Sequence, residues 1–219
     1  MNDTLPAMPS VLVVCAHPDD ESFGLGAILS ALTDAGSRVS VLCFTHGEAS
    51  TLHGVAGELA AIRADELVAA GDILGVAAVE LLDYTDGHLT AQPLDQLADH
   101  VTRAARTLDA SALLAFDHGG ITGHPDHQHA TDAAIVAASL LGCPVLAWAL
   151  PDKVAELLND EFHTTFAGRR DDELDLTITV DRDRQLDAIR CHRSQSTDNP
   201  VLWRRLDLLG SAEHLRYLT

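Results

Sequence analysis

Two periods of apolar residues alternate along the chain. SVLVVCA (10–16), RVSVLCFT (38–45), AVELL (78–82), ALLAFD (112–117) and PVLAWAL (144–150) are short apolar runs of strand length. Between them, SFGLGAILSALTDAG (22–36), GELAAIRADELVAAGDILG (57–75), PLDQLADHVTRAARTL (93–108) and DHQHATDAAIVAASLLG (126–142) repeat apolar residues at helical spacing. Gly36 supplies a C-terminal cap, and Pro93 suits a first helical turn. ELDLTITV (173–180) alternates strongly and predicts a strand near a sheet edge. DRDRQLDAIRCHRSQ (181–195) opens on Asp181 as an N-cap and predicts a helix.

Strands that alternate with helices over short links predict a parallel sheet covered on both faces, a three-layer α/β sandwich. Right-handed crossovers then favour a doubly wound, Rossmann-like and mostly parallel sheet, with the common strand order 3-2-1-4-5. No stretch rich in Pro, Gly or Ser divides the chain, so residues 1–219 read as a single domain. GEASTLHGVAG (47–57), small and polar, is expected to be a mobile loop beside the sheet.

Composition narrows the partners. The 219 residues are 47 % hydrophobic, enough for a sizeable core. The 14 Lys+Arg against 33 Asp+Glu leave a formal net charge of −19. Such a surface repels phosphate backbones and anionic headgroups, so neither nucleic acid nor membrane is expected as a partner. The longest apolar runs are too short to cross a bilayer, and MNDTLPAMPS lacks the basic and apolar regions of a signal peptide. The expected location is therefore the cytoplasm. Cys15, Cys43, Cys143 and Cys191 have no CxxC spacing, which argues against a thiolate zinc site or a disulfide framework.

In a doubly wound sheet, ligands bind beyond the carboxyl ends of the strands where the strand order reverses. AHPDDE (16–21) lies at the end of the first strand and DHGGITGHPDHQH (117–129) at the end of the fourth, so the two clusters should face one crevice. His17 and Asp20 are three residues apart, as are His124 and His127. One His and one carboxylate from the first cluster, with one His from the second, make three ligands and leave a position open for water, as catalytic zinc does. Asp19, next to Asp20, could serve as general base. His124, oriented by Asp126, could stabilise an oxyanion and protonate a leaving amine. Each cluster also has a plainer explanation. His-Pro-Asp alone is a turn, the paired aspartates could cap a helix near Glu21, and the second cluster could be a Gly-rich surface loop. Two such turns at strand ends that the topology brings together favour the site. GLGAIL (24–29) resembles a dinucleotide fingerprint but has Leu29 at the third glycine position, and GxxxxGK[ST], GxSxG and HExxH are absent.

At these residues the chain resembles the PIG-L / LmbE-like family of zinc-dependent de-N-acetylases. The matching pieces are AHPDDE (16–21), THGE (45–48), Arg63 in AAIRADEL, DYTDG (83–87), GHPDH (123–127) and HRSQ (192–195). The resemblance implies a Rossmann-like sheet with zinc on His17, Asp20 and His127. It implies Asp19 as general base, and His124 as acid and electrostatic group supported by Asp126. It further suggests that Glu48, Arg63 and Asp86 line the substrate pocket, although Arg63 could instead pair with Glu66 on a solvated helix face. His192 matches a family position for which no role beyond helix-end structure is expected. Thr122 stands where relatives that cleave glucosaminyl-inositol compounds carry Tyr, which speaks against a mycothiol-type substrate.

The expected function is removal of an acetyl group from an N-acetylglucosamine-type sugar or glycoconjugate, with Zn2+ as cofactor and Fe2+ as a substitute. The expected partner is a small N-acetylated sugar; oligomeric state is open, and analogy alone suggests a homo-oligomer. Rival functions are an amidase acting on a thiol conjugate or another acylamino sugar, a non-haem iron oxygenase, and a non-catalytic sugar-binding module. The oxygenase is disfavoured by HxxD spacing on an α/β chain, where HxD on a β-barrel is usual.

Overall fold

Ser10–Cys15 (β1) is buried along its whole length, as a strand covered on both faces must be. Its odd positions, Val11, Val13 and Cys15, face one core, and Leu12 and Val14 face another. The computed structural model of the chain describes residues 4–52, 58–119 and 123–219. Around β1 are Arg38–Thr45 (β2), Ala78–Tyr84 (β3), Ala112–Phe116 (β4), Val145–Trp148 (β5), Leu176–Thr179 (β6) and Ala212–Tyr217 (β7). They form one seven-stranded sheet in the order β3-β2-β1-β4-β5-β7-β6. The expected order of the first five strands therefore holds, and β6 is the edge strand that its alternation predicts. β1 pairs in parallel with β2 from Ser10↔Arg38 to Cys15↔Cys43, and with β4 from Val11↔Ala112. Only β7 is antiparallel to both its neighbours, β5 and β6.

Helices cover both faces. Leu94–Leu108 (α4) and Pro125–Leu141 (α5) pack on the face of Leu12 and Val14. Ala130, Ala133, Ala134, Ala137 and Ala138 give α5 a stripe of small residues, which lets its backbone approach the strands closely. The opposite face carries Gly26–Asp34 (α2), Leu59–Leu74 (α3), Asp152–Phe162 (α6) and Asp183–Cys191 (α7).

The structure departs from the expected elements in several places. The helix expected over 22–36 begins earlier, as Asp20–Phe23 (α1), and breaks at Gly24–Leu25 before α2. Gly26 opens α2 because α7 crosses there: a Cβ on it would lie 2.9 Å from Gln185 Cγ. The helix expected over 181–195 is interrupted at His192, and Arg193–Ser196 (α8) follows. Further elements not expected are α6, Pro200–Leu209 (α9) and β7. The expected loop at 47–57 lies partly outside the described residues, and Thr122 lies wholly outside them. Among the described residues no helix is long and apolar enough to cross a membrane.

Candidate metal centre

The last residues of β1 lead into the first motif. After His17 the chain turns through Pro18, and Asp19 takes φ 110°, ψ −27°. A non-glycine residue held there costs on the order of 1–3 kcal/mol, so its surroundings must hold it. Asp19 occupies the N-cap position of α1, yet its side chain makes no capping bond. Its Oδ2 lies 2.9 Å from Arg63 Nη2 instead. Asp20 is turned inward. Its Oδ2 accepts the N–H groups of Ala16 (3.0 Å) and His17 (2.9 Å), and its Oδ1 lies 3.1 Å from His127 Nε2. Burial works against charge on Asp20, but His127, His17 and these backbone donors outweigh it and hold its pKa well below the usual range.

The second motif opens α5. His124 is its N-cap in an extended conformation, with Pro125 in the first turn, and His124 Nδ1 accepts the Asp126 N–H at 3.2 Å. The Asp126 carboxylate accepts the N–H groups of Gly87 (2.8 Å) and Leu89 (3.1 Å) and lies 3.5 Å from His17 Nε2. Asp126 meets His124 through its backbone N–H, while its side chain ties the segment after β3 to His17. His127 points inward and stacks on Phe116, with centroids 5.1 Å apart.

Topology then brings the two motifs together. His17 Nδ1 is 3.0 Å from His127 Nε2 and 3.9 Å from Asp20 Oδ2. Zinc–ligand bonds of about 2.0–2.1 Å at tetrahedral angles set neighbouring donor atoms about 3.3 Å apart, so this set fits one small divalent cation. The second nitrogen of His17 lies 2.9 Å from Asp86 Oδ1, the carboxylate contact that metal-ligating histidines generally make. Burial pushes the His17 pKa down, but Asp126, Asp86 and Asp20 overcome it and raise it to about 10. So many carboxylates around two imidazoles favour a bound cation. Among the described residues a second group, His17, His124 and Asp126, also offers three converging donors, but it is less buried.

The remaining expected residues divide. Arg63 is not on a solvated face with Glu66. It is 3 % exposed, and its guanidinium donates to the carbonyls of Gly47 and Pro18 and to Asp19. Gly47 (φ +63°) must be glycine for this, because a Cβ would lie 2.3 Å from Arg63 Nη1. Burial raises the Asp19 pKa more than the Arg63 charge lowers it, leaving it at about 6. Asp86 faces His17 and also accepts the Ala49 N–H at 2.9 Å; burial pushes its pKa up, but His17 more than reverses this and the pKa falls. Glu48 departs from expectation. It is exposed, does not line the cleft, and braces the site from behind by accepting the Asp86 N–H at 3.0 Å. His124 has a lowered pKa, first through burial and then through the neighbouring His17 and His127.

His17, Asp19, Asp20, Arg63, Asp86, His124 and His127 line a cleft of about 480 Å³, whose other walls include Phe23, Phe166, Leu202 and Arg205. The residues on α9 and near α6 were not anticipated, although Asn199 followed by Pro200 is a readable helix start. Glu21 also proves central. It is fully buried and lies 2.6 Å from His192 Nε2, a partner 171 positions away that no local pattern reveals.

The PIG-L family model, described as GlcNAc-PI de-N-acetylase, matches residues 12–138. The chain belongs to this family. The PIG-L match contains every donor of the proposed metal set together with Asp19, Arg63, Asp86, His124 and Asp126, whereas His192 and α9 lie beyond it. The chain is 34 % identical over 146 residues to diacetylchitobiose deacetylase of Thermococcus kodakarensis, covering 66 % of this chain and 54 % of that one. It is 33 % identical over 171 residues to a 1D-myo-inositol 2-acetamido-2-deoxy-alpha-D-glucopyranoside deacetylase of Catenulispora acidiphila, covering 65 % and 53 %. The chain thus spans about half the length of the curated relatives it matches. Its fold is similar to that of N,N′-diacetylchitobiose deacetylase from Pyrococcus horikoshii, with TM-score 0.71, 23 % identity, and coverage of 96 % and 84 %. It is equally similar to that of 4-carboxy-2-hydroxymuconate hydratase from Pseudomonas putida, with TM-score 0.74, 19 % identity, and 97 % of both chains covered. The fold alone therefore does not select the chemistry.

Proposed function

We propose that this chain hydrolyses the N-acetyl amide of an N-acetylglucosamine-type sugar or glycoconjugate, with zinc as its cation and iron(II) as a substitute. One observation carries the reading: His17 Nδ1, His127 Nε2 and the Asp20 carboxylate converge within 3.0–3.9 Å at the end of a cleft that Asp19 and His124 also line. When bound there, the cation supplies Lewis acidity, which lowers the pKa of water and polarises a carbonyl oxygen.

The chain's own residues account for the proton movements. Arg63 engages Asp19 Oδ2, so the other carboxylate oxygen accepts the proton of the water that attacks the amide carbon. His124 Nδ1 accepts the Asp126 N–H, which places the proton of the neutral ring on Nε2. That N–H donates to the oxyanion as it develops, and the proton that Asp19 took from the water passes to the departing amine. Acetate and the free amine are the products. The matched relatives named for diacetylchitobiose and for an acetamido-deoxyglucopyranoside support the substrate class. Thr122, in place of the Tyr of glucosaminyl-inositol-cleaving relatives, favours a substrate other than the mycothiol type. On this reading the chain works as one domain, in the cytoplasm, on a small sugar, and without nucleic acid.

The test is incubation of the zinc-loaded protein with N-acetylglucosamine and N,N′-diacetylchitobiose, scored for free amine and acetate. Equimolar amine and acetate are expected. Release of a larger acid from acyl conjugates, without acetate from either sugar, would move the assignment to the rival amidase. No amine from any N-acetylated sugar at full metal occupancy would overturn hydrolysis altogether.

A further inference from the structure

Asp19 is held by two handles. The first handle is its carboxylate, engaged by Arg63. The second is its backbone N–H, which donates to Glu21 Oε2 at 3.0 Å. Glu21, at the second helical position, reaches back to the N-cap N–H, as the carboxylate half of a capping box does from the third. The other half, a side-chain bond from the N-cap residue to the helix, is missing. That omission matters, because an Asp19 carboxylate bonded to α1 would be withdrawn from the cleft.

Glu21 and His192 are both 0 % exposed. Glu21 Oε1 receives Ser22 Oγ at 2.5 Å and His192 Nε2 at 2.6 Å. Its carboxylate therefore accepts three donors, one of them the Asp19 N–H, and has little freedom to turn. His192 sits at the break between α7 and α8, with Phe23 edge-on to its ring at 5.8 Å. The next residues grip neighbouring parts of the site. Ser194 donates its N–H and hydroxyl to Glu66, at 2.8 and 2.6 Å, and Glu66 lies on the same helix as Arg63. Gln195 Oε1 accepts the hydroxyl of Ser50, which lines the cleft, at 2.7 Å.

We infer that His192, acting through Glu21, is a positioning residue for Asp19: the buried pair holds the strained backbone that keeps the Asp19 carboxylate on the cleft. The inference rests on the assignment of Asp19 as proton acceptor made above. It gives HRSQ (192–195), outside the family match, a function as a clamp that grips the α1 turn, α3 and the β2–α3 loop.

The first arm of the test needs no turnover. Amide exchange of the zinc-loaded protein is followed by NMR in wild type, His192→Ala, His192→Gln and Glu21→Gln. In His192→Ala and Glu21→Gln the Asp19 amide is expected to exchange roughly 10-fold faster, the loss of about one bond to a charged acceptor. The amides of Val13 and Leu114 are expected to keep their protection, and His192→Gln, which can still donate to Glu21, to behave as wild type. An unchanged Asp19 amide, or equal acceleration at all three sites, would overturn the inference. The second arm is kinetic, with N,N′-diacetylchitobiose. His192→Ala is expected to lower kcat roughly 10- to 100-fold, at unchanged KM and metal stoichiometry. In an Asp19→Asn background the same change is expected to cost almost nothing more. An equal loss in both backgrounds, or loss of metal, contradicts a positioning role. If His192→Ala does not fold, Glu21→Gln carries both arms. If wild type releases no amine, the proposed function fails, while the exchange arm still decides whether the clamp holds Asp19.

Discussion

His-Pro-Asp occurs twice in this chain, at 17–19 and at 124–126, and the two copies do different work. In both, the residue after the tripeptide, Asp20 or His127, turns inward to the proposed metal set. The histidines differ. His17 offers one nitrogen to that set and the other to Asp86, whereas His124 has its Nδ1 engaged by a backbone N–H and caps a helix, with Nε2 left as the proposed oxyanion donor. The aspartates differ more. Asp126 has an ordinary helical start, and its carboxylate is consumed by Gly87, Leu89 and the approach to His17. Asp19 sits at φ 110° and keeps its carboxylate at the cleft. On the proposed reading, one tripeptide yields a ligand with a base in one place and an oxyanion donor with a structural support in the other. Backbone conformation makes the difference, and in the first copy distant residues enforce it.

Paired substitutions sharpen this contrast, beginning with the largest expected effect. His127→Ala is expected to lose stoichiometric metal and with it all turnover, whereas His124→Ala keeps the metal. Metal analysis after dialysis separates them, and metal retention in His127→Ala would erase the distinction. Next, Asp19→Asn is expected to bind metal normally and lose roughly 10²- to 10⁴-fold in kcat, the usual share of a general base. Near-wild-type kcat would remove Asp19 from its role. Its counterpart, Asp126→Asn, is expected to show a smaller effect of another kind, a roughly 10- to 100-fold weakening of metal affinity through His17. A competition titration with a chelator measures it, and unchanged affinity would mean that Asp126 serves only the fold. The smallest effect belongs to Glu48→Gln, which retains an acceptor for the Asp86 N–H on an exposed side chain. It is expected to change stability by no more than about 0.5 kcal/mol in denaturant unfolding and to leave KM unaltered. A large rise in KM would return Glu48 to the substrate pocket.

The parallel half of the sheet is legible in the sequence because β1, β2, β4 and β5 are Val- and Leu-rich runs buried on both faces. Their order placed both motifs at one switch point. The antiparallel edge is harder to read. β7 carries Glu213, which is 1 % exposed and breaks the apolar alternation; Arg182 and the Trp148 indole N–H compensate its charge from elsewhere in the chain. Residue types likewise identify the ionisable groups of AHPDDE but not their directions. The left-handed turn at Asp19 and the Glu21–His192 pair depend on contacts across most of the chain, and neither leaves a local pattern.

The most direct test of the central claim is a crystal structure of the zinc-loaded protein with anomalous data collected at the zinc edge. The expected result is a single peak about 2.0–2.2 Å from His17 Nδ1, His127 Nε2 and the Asp20 carboxylate, with Asp19 and His124 outside bonding distance. A peak held by His17, His124 and Asp126, or none within the cleft at full zinc loading, would contradict it.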